Sequence, residues 1–490
     1  MKRAFAAAAA VIVLFLSGCA GSATPPVQAA PAQAPAATAA TAAAQPAAAA
    51  AAIAPAPATP AATAAIAPLP APDPLSFFAG APPASRDAVK KAYELAEAGK
   101  WKSAFDSLKA FDPKKADPWV LAAMTRLALD GSVRTDLHQS FGFVDLEAGQ
   151  TVDELRDTDL EIVLQPFDPP SLAEPLGVEA ALPPILSKVL GDYFYDAQQR
   201  FAGEWIIADE EIKALSLANY ETAWAAGVYD QGSVQNHGEL LMAQQRAAEA
   251  EPLFAKAVQF DPENPAALYN LALSLLIEGK RAECLDIFDR AIAAIPSPES
   301  RFDAIALAAR AAADLGDAVR GEQYLARADR DYPGNPSPLL LRHLVAVQHG
   351  AADAADAAAD ALAAGYGANP EVIRNIVSAW YSAGQAAAAR AFLERNAAAA
   401  SDDAVIGTLL FYDAILMLEL AEDAAGRAAA STVLDRAEAS MQKVFAPGDE
   451  VFGVIAQVRA QMAAAEAEAA AAAGAPGQAA PGQGAPQPKP

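Results

Sequence analysis

A recurrence at a spacing of 34 residues constrains this chain more than any other feature. Gly238, Ala250, Phe254, Ala257 and Pro262 are each followed, 34 positions on, by Ala272, Cys284, Phe288, Ala291 and Pro296. The order is small, small, large and apolar, small, then proline. Small residues at fixed intervals let two helices approach closely, the phenylalanines fill the gap to the next pair, and proline ends the second helix. Gly279 and Lys280 supply the turn between helices in the second copy. One such pair cannot bury its apolar face alone, so neighbouring copies must stack.

Further copies flank this core. A third, with a short insertion, runs through Ala309, Gly316, Leu325, Ala328 and Pro333. A fourth is mostly alanine (Leu339, Gly350, Ala355, Leu362), and a fifth reads Ile373, Ile376, Val377, Trp380, Gly384, Ala389 and Leu393. A sixth pair is expected at 404–442, and Ala92, Leu95, Gly99, Trp101, Ala104 and Leu108 give one more within 85–118. The pattern resembles the tetratricopeptide repeat. That resemblance implies an all-α fold, an α-solenoid of stacked helix pairs whose inner wall is built from the first helix of each pair and binds protein or extended peptide. In the 34-residue frame the sixth position is Asn236, Asn270 and Asn375, which resemble the asparagine ladder by which some members of that family hold a ligand's backbone. An amide offers donor and acceptor together, which suits an extended peptide. Tyr269, Leu273 and Arg374 stand beside the ladder. Two copies carry Leu307 and Leu341 at that position, which breaks the ladder and suggests an apolar patch.

The repeat leaves 119–230 unexplained. Acids cluster at Asp153, Glu154, Asp157, Asp159 and Glu161, followed by the breaker Pro166-Phe167-Asp168-Pro169-Pro170. Helical periodicity returns from Ile185 through Phe194 and again from Glu210 to Ala226. The expectation is irregular helical pairs interrupted by a long acidic surface loop. The acids lack the ligand spacing and glycine of a calcium loop, so solvated surface is the reading.

The N-terminus carries an address. Lys2 and Arg3 precede an apolar stretch from Ala4 to Phe15, too short to span a bilayer core of roughly 30 Å but suited to a signal peptide. It ends in Leu16-Ser17-Gly18-Cys19, which resembles the lipobox of bacterial lipoproteins. The resemblance implies cleavage before Cys19 and acylation of its thiol, and Ala20 implies sorting to the outer membrane, facing the periplasm, with the inner membrane or cell surface left open. Two or three acyl chains make such an anchor effectively stable. Residues 20–72 hold no charged side chain and are nearly all Ala, Pro and Thr. Prolines at such intervals block helix and favour extended chain, so this linker reaches at most about 160 Å at about 3.1 Å per residue. The Gly/Pro/Gln-rich end is a disordered tail. The expected organisation is therefore a signal peptide at 1–18, lipidated cysteine and disordered linker at 19–84, a helix pair at 85–118, the irregular region at 119–230, repeats at 231–403, C-terminal helices at 404–472 and the tail at 473–490.

Chemistry is sparse. With Cys19 acylated, Cys284 has no partner for a disulfide. Cys284 occupies a repeat alanine position and reads as a buried, inert thiol. His138, His237, His343 and His349 form no metal-ligand spacing, and no phosphate loop, nucleophile elbow or zinc-protease motif is present. No catalytic residue, metal or cofactor is expected beyond the lipid on Cys19. A formal charge of −25 repels phosphate backbones, which disfavours nucleic acid. The leading expectation is a non-enzymatic scaffold anchored in the cell envelope. The alternatives are a solute-binding lipoprotein that captures a peptide or glycan for a transporter, and a structural spacer.

Overall fold

The computed structural model describes residues 68–474, apart from 157, 159, 160, 180, 205 and 206. Cys19, its signal segment, the linker to residue 67 and the tail from 475 lie outside the described residues. The fold is all-α apart from one small sheet, with successive helices packed as stacked pairs. It divides into two compact units, 68–315 and 316–474.

The linker expected through residue 84 gives way to structure sooner. Leu69 N donates to Gln259 O at 2.6 Å, Asp73 caps a short 3₁₀ helix at Pro74–Phe78, and Phe78 is buried. The two phenylalanines at its end supply the apolar area that the Ala/Pro run lacks. α1 (Pro83–Glu97) and α2 (Trp101–Phe111) then pack as a pair against α3 (Pro118–Gly131). Asp117 caps α3, accepting from Trp119 N at 2.9 Å, with Pro118 at the first helical position; proline is tolerated there because its missing N–H would have no partner in the helix.

The expected acidic loop is instead partly a sheet. β1 (Arg134–Asp136), β2 (Ser140–Gly142) and β3 (Gln165–Pro166) pair antiparallel in that order. Leu137 and His138, two of the three residues between the first two strands, take φ of 43° and 59°, left-handed values that cost non-glycine residues energy. Aromatic burial holds the turn. Phe105 stacks on Phe143 at 4.4 Å and meets Phe167 edge-on at 5.3 Å, while Tyr193 donates its hydroxyl to His138 O at 2.6 Å. The short helices α4 (Val152–Arg156) and α5 (Pro169–Glu179) complete the excursion, and Arg156 pairs with Asp153 at 2.7 Å.

α6 (Pro184–Phe201) and α7 (Asp209–Ala225) form the next pair, followed by α8 (Gln231–Ala243), α9 (Ala247–Phe260), α10 (Pro265–Ile277), α11 (Arg281–Ala294) and α12 (Pro298–Leu315). Gly238 shows why the small positions matter: a Cβ there would lie 2.7 Å from the Phe254 ring. Phe254, Ala272 and Phe288 are all sealed from solvent. The turn after α10 uses Gly279 at φ 79°, whereas the turn after α8 forces Gln245 to φ 62°.

The second unit contains α13 (Ala318–Asp331), α14 (Ser337–Gln348), α15 (Ala352–Tyr366), α16 (Pro370–Ser382), α17 (Ala386–Ala399), α18 (Asp403–Leu420), α19 (Ala424–Met441) and α20 (Glu450–Gly474). Its core gathers Trp380, Phe392, Ile376 and Leu409. His343 is buried edge-on to Trp380 at 4.4 Å, with its ring nitrogens 3.1 Å from Ala355 O and Ile376 O.

The Gly238 contact makes a direct test possible. Gly238→Ala should destabilise the first unit by about 2 kcal/mol, because a rigid ring faces the added methyl. Denaturant unfolding should show this loss, and Phe254→Leu in the same background should recover part of it.

Candidate functional site

The residues singled out from the ladder fall in both units. Asn236, Tyr269, Asn270 and Leu273 belong to the unit 68–315, and Arg374 and Asn375 to the unit 316–474. In the first unit the amides are already engaged. Asn236 Nδ2 donates to the Tyr220 hydroxyl at 3.3 Å, and Asn270 Nδ2 donates to Glu239 Oε1 at 3.4 Å. Glu239 also accepts from Gln235 at 2.8 Å and from the Tyr195 hydroxyl at 2.5 Å. One carboxylate therefore gathers side chains from α6, α8 and α10, the first helices of three successive pairs. Tyr269 is half-buried with its ring edge-on to Phe288 at 6.4 Å, and Leu273 is half-buried beside it in sequence. In the second unit Arg374 pairs with Glu371 at 3.4 Å while its Nε is buried without a hydrogen bond, and Asn375 is half-buried. Of the two leucines that break the ladder, Leu341 is 5% exposed and belongs to the core, and Leu307 is half-buried.

A second candidate was not foreseen. A cavity of about 820 Å³ opens in the first unit between α1, α2, α3, α6 and the loop 146–152. Phe77, Tyr93 and Trp101 supply aromatic wall, and Leu127, Ile185 and Val189 aliphatic wall. Its floor is charged. Lys188, 1% exposed, places Nζ 2.7 Å from Asp192 and 2.5 Å from Asp230. Arg126 reaches Asp130 at 2.5 Å and Asp230 at 3.2 Å. Asp230 also caps α8 through Ser233 N at 2.9 Å. Two cations on one carboxylate hold Asp230 far below the usual carboxylate range despite its burial. Asp192 goes the other way: burial raises its pKa more than Lys188 and Arg126 lower it, and it accepts from the Tyr220 hydroxyl at 2.9 Å. Tyr93 is pushed up by burial, and its hydroxyl has no hydrogen-bond partner among the described residues. At the rim, Leu146 N donates to Gly99 O at 2.8 Å, which sets Glu147 beside the turn that carries Glu97.

The sequence signal for this floor was the presence of Arg126 and Lys188 within apolar helical stripes, with Asp192 one turn after Lys188. A buried charge at such a position demands a partner. Nothing in the local pattern names Asp230, which lies 42 residues beyond Lys188.

Burial favours the neutral form of His138, His237 and His343. Burial lowers His138 to about 3 and His237 to about 4. Nε2 of His138 stands 3.1 Å from Asp196 but out of line for a hydrogen bond, and His237 stacks on Tyr220 at 5.8 Å. Cys284 is buried and unbridged. Among the described residues no group of three or more His, Cys, Asp or Glu is placed to hold a metal ion, and no helix is long and apolar enough to cross a membrane.

Residues 241–305 match the family model of the tetratricopeptide repeat. That match covers α9 to α11 and the start of α12. No curated protein matches the chain. Among solved structures the chain is similar to YrrB, a TPR protein with an unusual peptide-binding site, at 16% identity over 38% of this chain and 94% of that one, with a TM-score of 0.27. A tetratricopeptide repeat protein from Parabacteroides merdae is 13% identical over 51% of this chain and 99% of its own, with a TM-score of 0.33. Pseudomonas aeruginosa pilF is 15% identical over 58% and 92%, with a TM-score of 0.27.

Two outcomes test the electrostatics. Lys188→Met leaves two buried carboxylates short of a counter-charge and should cost about 3 kcal/mol. Adding Asp192→Asn should recover part of that loss in a double-mutant cycle. The histidines set a pH dependence. Unfolded histidine takes up a proton near pH 6.5, whereas folded His138 and His237 resist protonation to about 3 and about 4. Their contribution is therefore full above about pH 6.5 and lost as pH falls toward the folded values. The drop in melting temperature between neutral pH and about pH 5 should be smaller in the double variant His138→Asn, His237→Gln than in the parent chain.

Proposed function

We propose that this chain is a lipid-anchored, non-enzymatic scaffold of the bacterial cell envelope that holds a protein partner or an extended peptide on the first helices of its repeats. The observation that carries the reading is the row of half-buried polar groups around Glu239. Side chains from three successive helix pairs converge there, which presents donors and acceptors at the spacing of a stacked helical surface. Asn236, Asn270, Tyr269 and Leu273 are the contact residues proposed in the first unit, and Arg374 and Asn375 those in the second. The anchor rests on Leu16-Ser17-Gly18-Cys19 behind its basic and apolar segments, with Ala20 favouring the outer membrane and the periplasmic side. The Ala/Pro linker supplies the distance from the lipid to the partner.

The anchor and the surface are testable separately. Cys19→Ser should leave an unprocessed precursor that no longer incorporates labelled palmitate; normal processing and sedimentation with the envelope would overturn the anchor. A photo-crosslinker at Leu273 should capture a defined envelope protein in living cells. Recovery of nothing beyond what a crosslinker at exposed Val319 captures would overturn the binding face.

A further inference from the structure

The cavity of the first unit has no part in that binding face, and its charges favour one kind of ligand. Both cations of its wall are already committed. Lys188 is clamped between Asp192 and Asp230, and Arg126 between Asp130 and Asp230. An anionic ligand would have to pull Lys188, at 1% exposure, away from its carboxylates, and leaving a buried charge uncompensated costs several kcal/mol. The carboxylates at the mouth are in the opposite condition. Glu97 and Glu147 line the cavity, are exposed, and have no ion pair among the described residues. Between mouth and floor stand the rings of Phe77, Tyr93 and Trp101. Ring faces attract cations and repel anions, and the Tyr93 hydroxyl remains open for a donor. The volume of about 820 Å³ falls within the range of pockets that enclose small organic ligands.

We propose that this cavity binds an organic cation, an alkylammonium or guanidinium group on a short apolar stem, with Glu97 and Glu147 compensating the charge and Tyr93 and Trp101 packing the stem. The floor network is the positioning element: it fixes α3 against α6 and fills the cavity's base with charges that are already paired, so the ligand meets unpaired negative charge only at the mouth. The same chemistry is offered by a free small amine or guanidine and by the arginine side chain of a peptide.

Calorimetric titration of the full-length chain in detergent separates these outcomes. The probes are agmatine, the blocked peptide acetyl-Gly-Arg-Gly-amide, the neutral N-butylurea and the anion butyrate. The cations should bind about tenfold more tightly than N-butylurea, and butyrate should not bind. Glu97→Gln and Glu147→Gln, both at exposed positions that leave the melting temperature unchanged, should each weaken the cations about threefold. Tighter binding of agmatine than of the peptide identifies a free small cation as the ligand, and the reverse identifies a partner's side chain. Cations that bind no better than N-butylurea, or affinities that neither substitution changes, overturn the proposal.

Discussion

Asp230 is where the front of the first unit and its repeats are joined. One carboxylate accepts from Lys188 on α6 and Arg126 on α3, and its other oxygen caps α8 through Ser233 N. The charges cannot be read as three independent ion pairs. Two cations and three carboxylates share a site that is closed to solvent at Lys188 and open at Asp130, so the charges act as a group and not as separate pairs. Geometry decides how the charge is divided. Asp230 has two cations and a helix N-terminus, all favouring the ionised form; Asp192 has a shared lysine and a tyrosine hydroxyl, and burial outweighs them. Negative charge therefore stays where it orders the first turn of the repeat stack. Such a network is a poor substitute for apolar packing in net stability. It does fix the register of helices that are far apart in sequence.

A polar chain extends from this floor. Lys188 meets Asp192, Asp192 accepts from Tyr220, and Tyr220 accepts from Asn236. Gly191 makes the middle link possible, because a Cβ there would lie 2.6 Å from the Tyr220 ring. The orientation of one proposed ladder amide is thus set by Tyr220 on the preceding helix, itself held by Asp192 one helix further back, through contacts that the 34-residue frame does not describe.

That difference marks how far the sequence could be read. Helix pairs were legible because small residues recur at fixed spacing, with Gly279 at the turn between helices and Pro262 and Pro296 after the second helix of each copy. The last helix, Glu450–Gly474, ends two residues beyond the boundary of 472 expected for the C-terminal helices. The sheet was not legible. Its strands are two or three residues long, too short for alternation to show, and its turn uses Leu137 and His138 where a turn of that kind normally advertises itself with Asn or Gly. Phe141, Phe143 and Phe167 carried the signal, since three aromatics in a supposed loop need somewhere to be buried. The cavity was illegible for a different reason. Its walls come from residues between Pro72 and Asp230, and only folding brings them to one place.

The ladder occupied an intermediate position. The recurring asparagines lie at half-buried positions of first helices, and their recurrence says nothing about partners. Glu239 and Tyr195 supply the acceptor and a competing donor, and neither belongs to the recurring position. An amide held by a neighbouring carboxylate has one of its donors spent, so a peptide backbone arriving at this face must either share Glu239 or displace it. Sharing is the less costly course. Glu239 accepts three hydrogen bonds from uncharged groups and has no ion pair among the described residues, and a carboxylate has about four acceptor sites. The face therefore keeps an acceptor and a negative charge in the middle of a row of amides. On the proposed binding face that favours a partner segment with N–H groups or a positive side chain over one with carboxylates, the same sign as the preference proposed for the cavity.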